Sequence, residues 1–236
     1  MANYKSAIVT GGTGALGTAI CQYLLSNQYR LIVPSFIEDE IELFERKIGN
    51  KMTDVSLVST DLTKADEVDK LTETALEKFG KIDLLANIAG GFVGGNLTAE
   101  MTLDEWEFMM NLNLKSVFLC CRSVLFHMME RQYGKIINVS ARAGLKGTAG
   151  MSAYSTAKAG VRILTESIAE EVKDKKINVN AIMPSIIDTP TNRQAMPNED
   201  HSLWVKPHQI AQVVGFLISE QASIINGATV PVYGRA

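Results

Sequence analysis

Short apolar runs alternate with longer stretches of helical periodicity along almost the whole chain. The runs of strand length are Ser6–Val9, Leu31–Val33, Val55–Ser59, Ile82–Ala86, Lys135–Val139, Val179–Met183 and Thr229–Val232. The stretches with the periodicity of an amphipathic helix are Ala15–Ser26, Glu38–Ile48, Lys64–Phe79, Leu103–Arg131, Ala153–Lys173 and Pro207–Ser219. Strands that alternate with helices form right-handed βαβ units. The pattern therefore predicts an α/β fold, in which residues 1–236 form a single Rossmann-type domain with a doubly wound, parallel, seven-stranded sheet and helices on both faces.

One long segment, from Pro184 to Lys206, has neither periodicity and is predicted to be irregular. Irregular segments of this length inside a compact domain are commonly functional. We therefore expect residues 184–206 to cover a bound substrate.

Composition excludes several classes of partner. The chain has 236 residues, 46% of them hydrophobic, which predicts one large core. Its formal net charge is −3, and no run of Lys and Arg forms a basic region for nucleic acid. No apolar stretch reaches the ~18 residues of a membrane span, and the start of the chain lacks the pattern of a signal peptide. The three cysteines show no C-x-x-C spacing and are predicted to be buried thiols. We expect a cytoplasmic protein with no membrane, nucleic-acid or metal partner.

A glycine-rich turn follows the first predicted strand and opens the first helix. Gly12, Gly14 and Gly17 have the spacing G-x-G-x-x-G. Glycines at these points let the backbone approach a pyrophosphate, and the helix N-terminus offers unpaired N–H groups to it. The predicted dinucleotide contacts are Gly11, Thr13, Gly14, Ala15, Leu16 and Gly17.

The end of the second strand leaves the choice of dinucleotide open. NAD sites usually have an Asp or Glu there for the ribose hydroxyls, but this position falls near Ser35, which we predict as a cofactor contact. No Arg follows that would bind a 2′-phosphate, and the acidic residues from Glu38 to Glu40 would repel one. The predicted cofactor is NAD(H) or NADP(H).

Tyr154 and Lys158 open a predicted helix and, four residues apart, share one of its faces. A neighbouring ammonium favours the phenolate and lowers the pKa of a tyrosine from about 10. The pair is therefore predicted to transfer a proton near neutral pH.

Together with these motifs, the turns after the other strands make the chain similar to the short-chain dehydrogenase/reductase family over almost its whole length. The matching residues are Asp61 and Leu62, Asn87, Ala89 and Gly90, Asn113, Tyr154 and Lys158, and Pro184, Ile187 and Thr189. The resemblance implies that Tyr154, Lys158 and Asn113 are catalytic, with Asn113 holding a proton-relay water. It implies cofactor contacts at Tyr154, Lys158 and all the other matching positions except Asn113. It also implies a homo-oligomer, a dimer or tetramer, with a small-molecule substrate.

The chain departs from the family pattern at one position. The family normally has a serine 13 residues before the tyrosine, where this chain has Ala141. Ser140 is adjacent, but neighbouring residues that leave a strand point to opposite sides, so only a local bulge would turn Ser140 inward. Loss of one such donor costs roughly 10²–10³ in rate for a carbonyl substrate.

Three segments resemble the dihydropteridine reductase branch, which uses the Tyr and Lys without the Ser. They are residues 89–96, residues 147–151 and the run from Asp188 to Trp204. This resemblance implies a quinonoid dihydropterin-like heterocycle as substrate, with Ala141, Met151 and Trp204 on the substrate side. Trp204 would stack on the ring or anchor its loop.

Three hypotheses follow for the function. The first is the reduction of a quinonoid dihydropterin-like heterocycle by NAD(P)H, with Tyr154 as proton donor. The second is a ketone or 3-oxoacyl thioester reductase of the same family, in which Ser140, Thr148 or Ser152 replaces the missing serine. The third is a catalytically silent dinucleotide-binding sensor, against which the retention of Tyr154, Lys158 and Asn113 argues.

Overall fold

All seven predicted strands form one parallel sheet in a computed structural model that describes residues 4–35 and 37–235. The strands are β1 (Lys5–Thr10), β2 (Tyr29–Pro34), β3 (Val55–Val58), β4 (Leu84–Asn87), β5 (Gly134–Val139), β6 (Ile177–Pro184) and β7 (Thr229–Val232). Their order across the sheet is β3-β2-β1-β4-β5-β6-β7. The chain therefore changes direction between β1 and β4, and in such sheets ligands bind outside the carboxyl ends of the strands at this point.

Eight α-helices connect the strands in the described part of the chain. They are α1 (Ala15–Ser26), α2 (Glu38–Ile48), α3 (Ala65–Phe79), α4 (Leu103–Met110), α5 (Ser116–Arg131), α6 (Ser152–Glu171), α7 (Pro190–Ala195) and α8 (Pro207–Leu217). None of these helices, within the ranges that the structure describes, combines the length and the hydropathy needed to cross a membrane.

The helices cover both faces of the sheet, as predicted. Successive residues of a strand point to opposite faces, so Ala7 and Val9 of β1 pack with α1 and α8 while Ile8 packs with α3, α5 and α6. Both faces of the central strands are therefore dry, which is why these strands are apolar at nearly every position. Cys21, Cys120 and Cys121 are free and buried in these layers, which confirms their predicted state.

The predicted single helix Leu103–Arg131 is wrong in one respect. It consists of α4 and α5 joined by a π-helical turn, Asn111–Lys115. Within this turn the Nδ2 atom of Asn113 donates a hydrogen bond to the carbonyl of Met109, 3.1 Å away. Wider turns of this kind occur frequently at functional sites, and apolar periodicity does not reveal them because they shift it by only one position.

The prediction that residues 184–206 are irregular is wrong in part. They contain α7 and a 3₁₀ turn, His201–Leu203, and Ile187 pairs with Val205 in an isolated parallel bridge. The hydroxyl of Thr189 caps α7 by accepting a bond from the Asn192 N–H at 3.2 Å, and Pro190 occupies the first helical turn. The helix is too short for periodicity, and these two capping signals would have indicated it.

Candidate active site

A cleft of about 770 Å³ opens at the carboxyl ends of β1, β4, β5 and β6. Its walls come from the glycine-rich turn, the turn after β4, the start of α6 and the first half of residues 184–206. The topology thus brings together motifs that are far apart in the chain, from Gly11 to Thr189. Predicted residues that line the cleft are Gly11, Thr13, Gly14, Ala15, Leu16, Gly17, Ser35, Asp61, Leu62, Ala89, Gly90, Ala141, Tyr154, Lys158, Pro184, Ile187 and Thr189.

The glycine-rich turn has the backbone geometry that a pyrophosphate requires. Gly11 has φ of +61°, and a Cβ atom there would lie 2.7 Å from the Cα atom of Ala89. The hydroxyl of Thr10 fixes this contact by accepting bonds from the N–H groups of Ile88 and Ala89, at 3.1 and 3.2 Å. Gly14, the N-cap of α1, has no side chain to cap the helix. The first N–H groups of α1 are therefore accessible to an anion, and the turn fits a dinucleotide.

We call the end of the cleft between this turn, α2 and the end of β3 the adenosine end. Asp61 lies there with its Oδ1 atom accepting bonds from the N–H and the hydroxyl of Thr63, at 2.9 and 2.7 Å. These bonds, helped by the Lys64 ammonium at 3.3 Å, hold the pKa of Asp61 below its usual range. Asp61 is therefore charged at neutral pH.

Tyr154 and Lys158 lie in the first turns of α6, at the opposite end of the cleft. The Nζ atom of Lys158 lies 5.8 Å from the centroid of the Tyr154 ring and donates a bond to the carbonyl of Val139 at 2.9 Å. Burial raises the pKa of Tyr154 to about 12 and lowers the pKa of Lys158 to about 8. The predicted lowering of the tyrosine pKa is therefore wrong for this state of the protein, because desolvation disfavours both charged forms.

Asn113 is buried and braces the turn after β4. Its Nδ2 atom donates to the carbonyl of Gly91 at 3.0 Å, and its Oδ1 atom accepts from the N–H of Gly91 at 3.2 Å. A Cβ atom on Gly90 would lie 2.8 Å from Asn113 Oδ1 and 3.2 Å from Lys158 Nζ. Asn113 and Lys158 therefore approach the same side of Gly90, although Asn113 itself does not line the cleft.

The structure places three other predicted site residues away from the cleft wall. Asn87 lies in the core, where its Nδ2 atom donates to Oδ1 of Asn138 at 2.9 Å. Met151 is the N-cap of α6, and Trp204 is 4% exposed with its ring centroid 4.4 Å from that of His201. Of the two roles considered for Trp204, this position favours the loop anchor.

Ser140 does not replace the serine that the family has at the position of Ala141. Ala141 and Ser140 both line the cleft, but the hydroxyl of Ser140 donates to the carbonyl of Lys158 at 2.8 Å. Ser140 thus ties β5 to α6. No bulge is needed at this point, since β5 stays paired with β6 up to Val139 and the N–H of Ser140 bonds the carbonyl of Ile182.

Aromatic side chains line the cleft that were not predicted from the sequence. The ring of Phe92 meets the ring of Tyr154 edge-on, with centroids 5.1 Å apart and an angle of 73°, and it is 53% exposed. Phe108 and Leu112 line the same region. Phe92 belongs to a segment, residues 89–96, whose resemblance to the dihydropteridine reductase branch was the only signal for it.

This fold and this cleft define a dinucleotide-dependent oxidoreductase, and comparison with known proteins gives the family. The family model described as short chain dehydrogenase matches residues 5–200. The chain belongs to the short-chain dehydrogenase family. The predicted fold, oxidoreductase class and nicotinamide cofactor are thereby confirmed, while the preference between NAD(H) and NADP(H) is not decided.

Individual relatives cover nearly the full length of the chain. The 3-oxoacyl-[acyl-carrier-protein] reductase of Vibrio cholerae is 31% identical, with 98% of this chain and 96% of the relative covered. Glucose 1-dehydrogenase 2 of Bacillus subtilis is 30% identical, with 98% and 93% covered. The solved structure of ElxO with NADP bound superposes with a TM-score of 0.92 at 26% identity, covering 98% of both chains. None of these three relatives is named a dihydropteridine reductase, so they do not support the resemblance to that branch.

Proposed function

We propose that the protein is an NAD(P)H-dependent reductase of a carbonyl compound, a ketone or a 3-oxoacyl thioester. The observation that carries this proposal is the pair of half-buried Tyr154 and buried Lys158 at the end of a cleft that fits a dinucleotide. The name of the Vibrio cholerae relative supports the substrate class, since a 3-oxoacyl group contains a ketone.

When bound, the nicotinamide supplies a hydride to the carbonyl carbon. The residues of the chain complete the reduction by adding a proton to the carbonyl oxygen, so that an alcohol forms. Tyr154 is the proton donor, because it lines the cleft and its phenol is protonated at neutral pH. The resulting phenolate is stabilised by Lys158, which remains mostly protonated below pH 8. Asn113 positions the turn at Gly90 and Gly91 against this pair.

A quinonoid dihydropterin-like heterocycle is the second candidate substrate, and Ala141 is the observation that favours it. The methyl group of Ala141 provides no hydrogen bond where a carbonyl oxygen would receive one. A ring that takes the hydride without an isolated carbonyl oxygen has less need of this donor. The exposed ring of Phe92 offers such a substrate an apolar contact beside Tyr154.

The proton-donor role is tested by Tyr154→Phe. We expect turnover with the best substrate to fall at least 10²-fold, as for other general acids, while NADH or NADPH still binds. Tyr133→Phe is the matched control, because Tyr133 lies outside the cleft wall. Unchanged turnover of Tyr154→Phe would reject the role.

The substrate class is tested by oxidation of NADH and NADPH across simple ketones, 3-oxoacyl thioesters, quinones and a quinonoid dihydropterin. We expect ketone turnover to rise by about 10²-fold in Ala141→Ser, because the serine restores one donor to the carbonyl oxygen. Turnover of the dihydropterin alone, by the parent protein, would favour the second candidate. Cofactor binding without turnover of any compound would instead support the silent sensor.

A further inference from the structure

The first turn of α2 brings a carboxylate to the adenosine end of the cleft. Glu40 lines this end together with Thr13 and Ser35. It lies five residues after Ser35, the position at the end of the second strand where an NAD site usually has its acid. The acid is thus absent from the usual position in the sequence, while the fold supplies one from the neighbouring helix.

The hydrogen bonds at the adenosine end determine which hydroxyl groups act as donors and which oxygen atoms act as acceptors. The hydroxyl of Thr13 donates to Oε2 of Glu40 at 2.8 Å, since a carboxylate only accepts. The Thr13 hydroxyl has only one proton and donates it to Glu40. The hydroxyl of Ser35, 3.2 Å away, is therefore the donor in its bond to Thr13. Oε1 of Glu40 accepts no bond from any described residue. The group as a whole therefore presents acceptors to the cleft, which suits the two donating hydroxyls of a ribose.

The charges around this group oppose a phosphate. Among the cleft-lining residues that the structure describes, Lys158 is the only Lys or Arg, and it lies beside Tyr154. The nearby ammonium of Lys64 is shared between the carboxylates of Asp61 and Glu67, at 3.3 and 3.1 Å. A 2′-phosphate would meet the carboxylates of Glu40 and Asp61 with no lining cation to balance them.

We propose that Glu40 accepts hydrogen bonds from the adenosine ribose hydroxyls and excludes a 2′-phosphate, so that the protein uses NAD(H) in preference to NADP(H). This inference rests on the proposed nicotinamide-dependent function. A preference for NAD(H) would distinguish the chain from its structural neighbour ElxO, whose structure holds NADP. Glu40 would be the residue that determines cofactor specificity, although it is outside the usual motif.

Direct binding of the two cofactors, without any substrate, tests the proposal. We expect the parent protein to bind NADH at least about tenfold more tightly than NADPH, as a like-charge contact across a few ångströms predicts. We also expect adenosine 2′,5′-bisphosphate to bind more weakly than 5′-AMP, which isolates the adenosine end. The preference should shrink as salt is raised, because salt screens the repulsion.

Glu40→Gln identifies the residue responsible. The amide oxygen of Gln keeps the bond from Thr13 but carries no charge, so we expect the ratio of the NADPH dissociation constant to the NADH dissociation constant to fall by about tenfold. Glu40→Arg should reverse the preference. Asp39→Asn is the control, because it removes the same charge from the same helical turn at an exposed residue that does not line the cleft.

Three outcomes would overturn the proposal. They are equal or tighter binding of NADPH by the parent protein, an unchanged ratio in Glu40→Gln, and an equal change in Asp39→Asn, which would assign Glu40 only a role at the helix N-terminus. Binding of neither cofactor would instead contradict the proposed function. The two failures are therefore distinguishable in the same titration.

Discussion

Burial controls the protonation of the two residues that we propose for proton transfer. Lys158 is buried, with the carbonyl of Val139 as its hydrogen-bond acceptor among the described residues. Burial disfavours its ammonium and the phenolate of Tyr154 alike, so the pKa values of the pair move apart. A phenol that keeps its proton at neutral pH is able to protonate a substrate.

The pKa of Lys158 predicts the pH dependence of reduction. We expect kcat/KM to be constant at low pH and to fall as the pH rises through about 8, because a neutral amine no longer stabilises the Tyr154 phenolate. Tyr154 itself should add no step near neutral pH, since its pKa is about 12. The pH profile of kcat/KM measures this, because it reports groups of the free enzyme.

Lys158→Arg is the control for this assignment. A guanidinium stays charged across the accessible pH range. We therefore expect the remaining kcat/KM of the Arg variant not to fall as the pH rises through about 8. The same fall in the Arg variant, or no fall near pH 8 in the parent protein, would contradict the role of Lys158.

The backbone of Gly11 predicts a strong and local effect of an added methyl group. In Gly11→Ala, the positive φ and the contact with Ala89 are both strained, so we expect a loss of about 1–3 kcal/mol in unfolding free energy and much weaker dinucleotide binding. Thermal unfolding and cofactor titration measure these two effects. Gly147→Ala should change neither, because its Cβ atom would meet nothing within 4 Å.

At the scale of the elements, two departures from regular helix and loop shape the site. The π-helical turn between α4 and α5 carries Asn113, whose amide holds Gly91 at both backbone atoms. Residues 184–206 form the other wall, where α7 is held by the Thr189 cap and by the ion pair of Asp188 with Arg193. Each element thus reaches the cleft through backbone that side chains keep in place.

The burial of Trp204 predicts that it anchors residues 184–206. We expect Trp204→Ala to lower the unfolding free energy by about 3 kcal/mol, the usual cost of removing a buried aromatic ring, and to raise KM through loss of order around α7. Trp204→Phe should recover most of the stability and the KM. A full loss of substrate binding in Trp204→Phe, with stability intact, would instead support stacking of Trp204 on the substrate.

At the scale of the whole molecule, α5 exposes several apolar side chains. Phe118, Phe126 and Met129 are exposed on one side of the helix, where Arg122, paired with Asp69, lies between the two aromatic rings, and Phe126 is 65% exposed. Large exposed apolar side chains that lie near one another commonly belong to an interface between proteins. They agree with the homo-oligomer that the family resemblance implies.

We therefore expect sedimentation at micromolar concentration to give a dimer or tetramer. The double substitution Phe118→Asp and Phe126→Asp should shift the protein toward a monomer, because it places charges in an apolar contact. Substitution of the exposed residue Glu130 by Gln, at the end of the same helix, is the control. A monomeric parent protein would contradict this prediction.

The sequence by itself determined the order of the elements, the parallel sheet and most of the cleft. Strand and helix periodicities, the glycines of the first turn and the Tyr154–Lys158 spacing are local features. Their consequences follow from backbone sterics and from right-handed βαβ connections. For this reason the strands agree with prediction to within a few residues, and residues far apart in the chain converge as expected.

Only the tertiary structure decided the features that depend on which distant groups meet. Asn87 and Trp204 lie in the interior, the hydroxyl of Ser140 bonds the carbonyl of Lys158, and Glu40 accepts a bond from Thr13 at the adenosine end of the cleft. The protonation of Tyr154 and Lys158 likewise depends on burial, which no spacing of residues encodes. Desolvation and hydrogen-bond partners are properties of packed neighbours, so these points require the folded molecule.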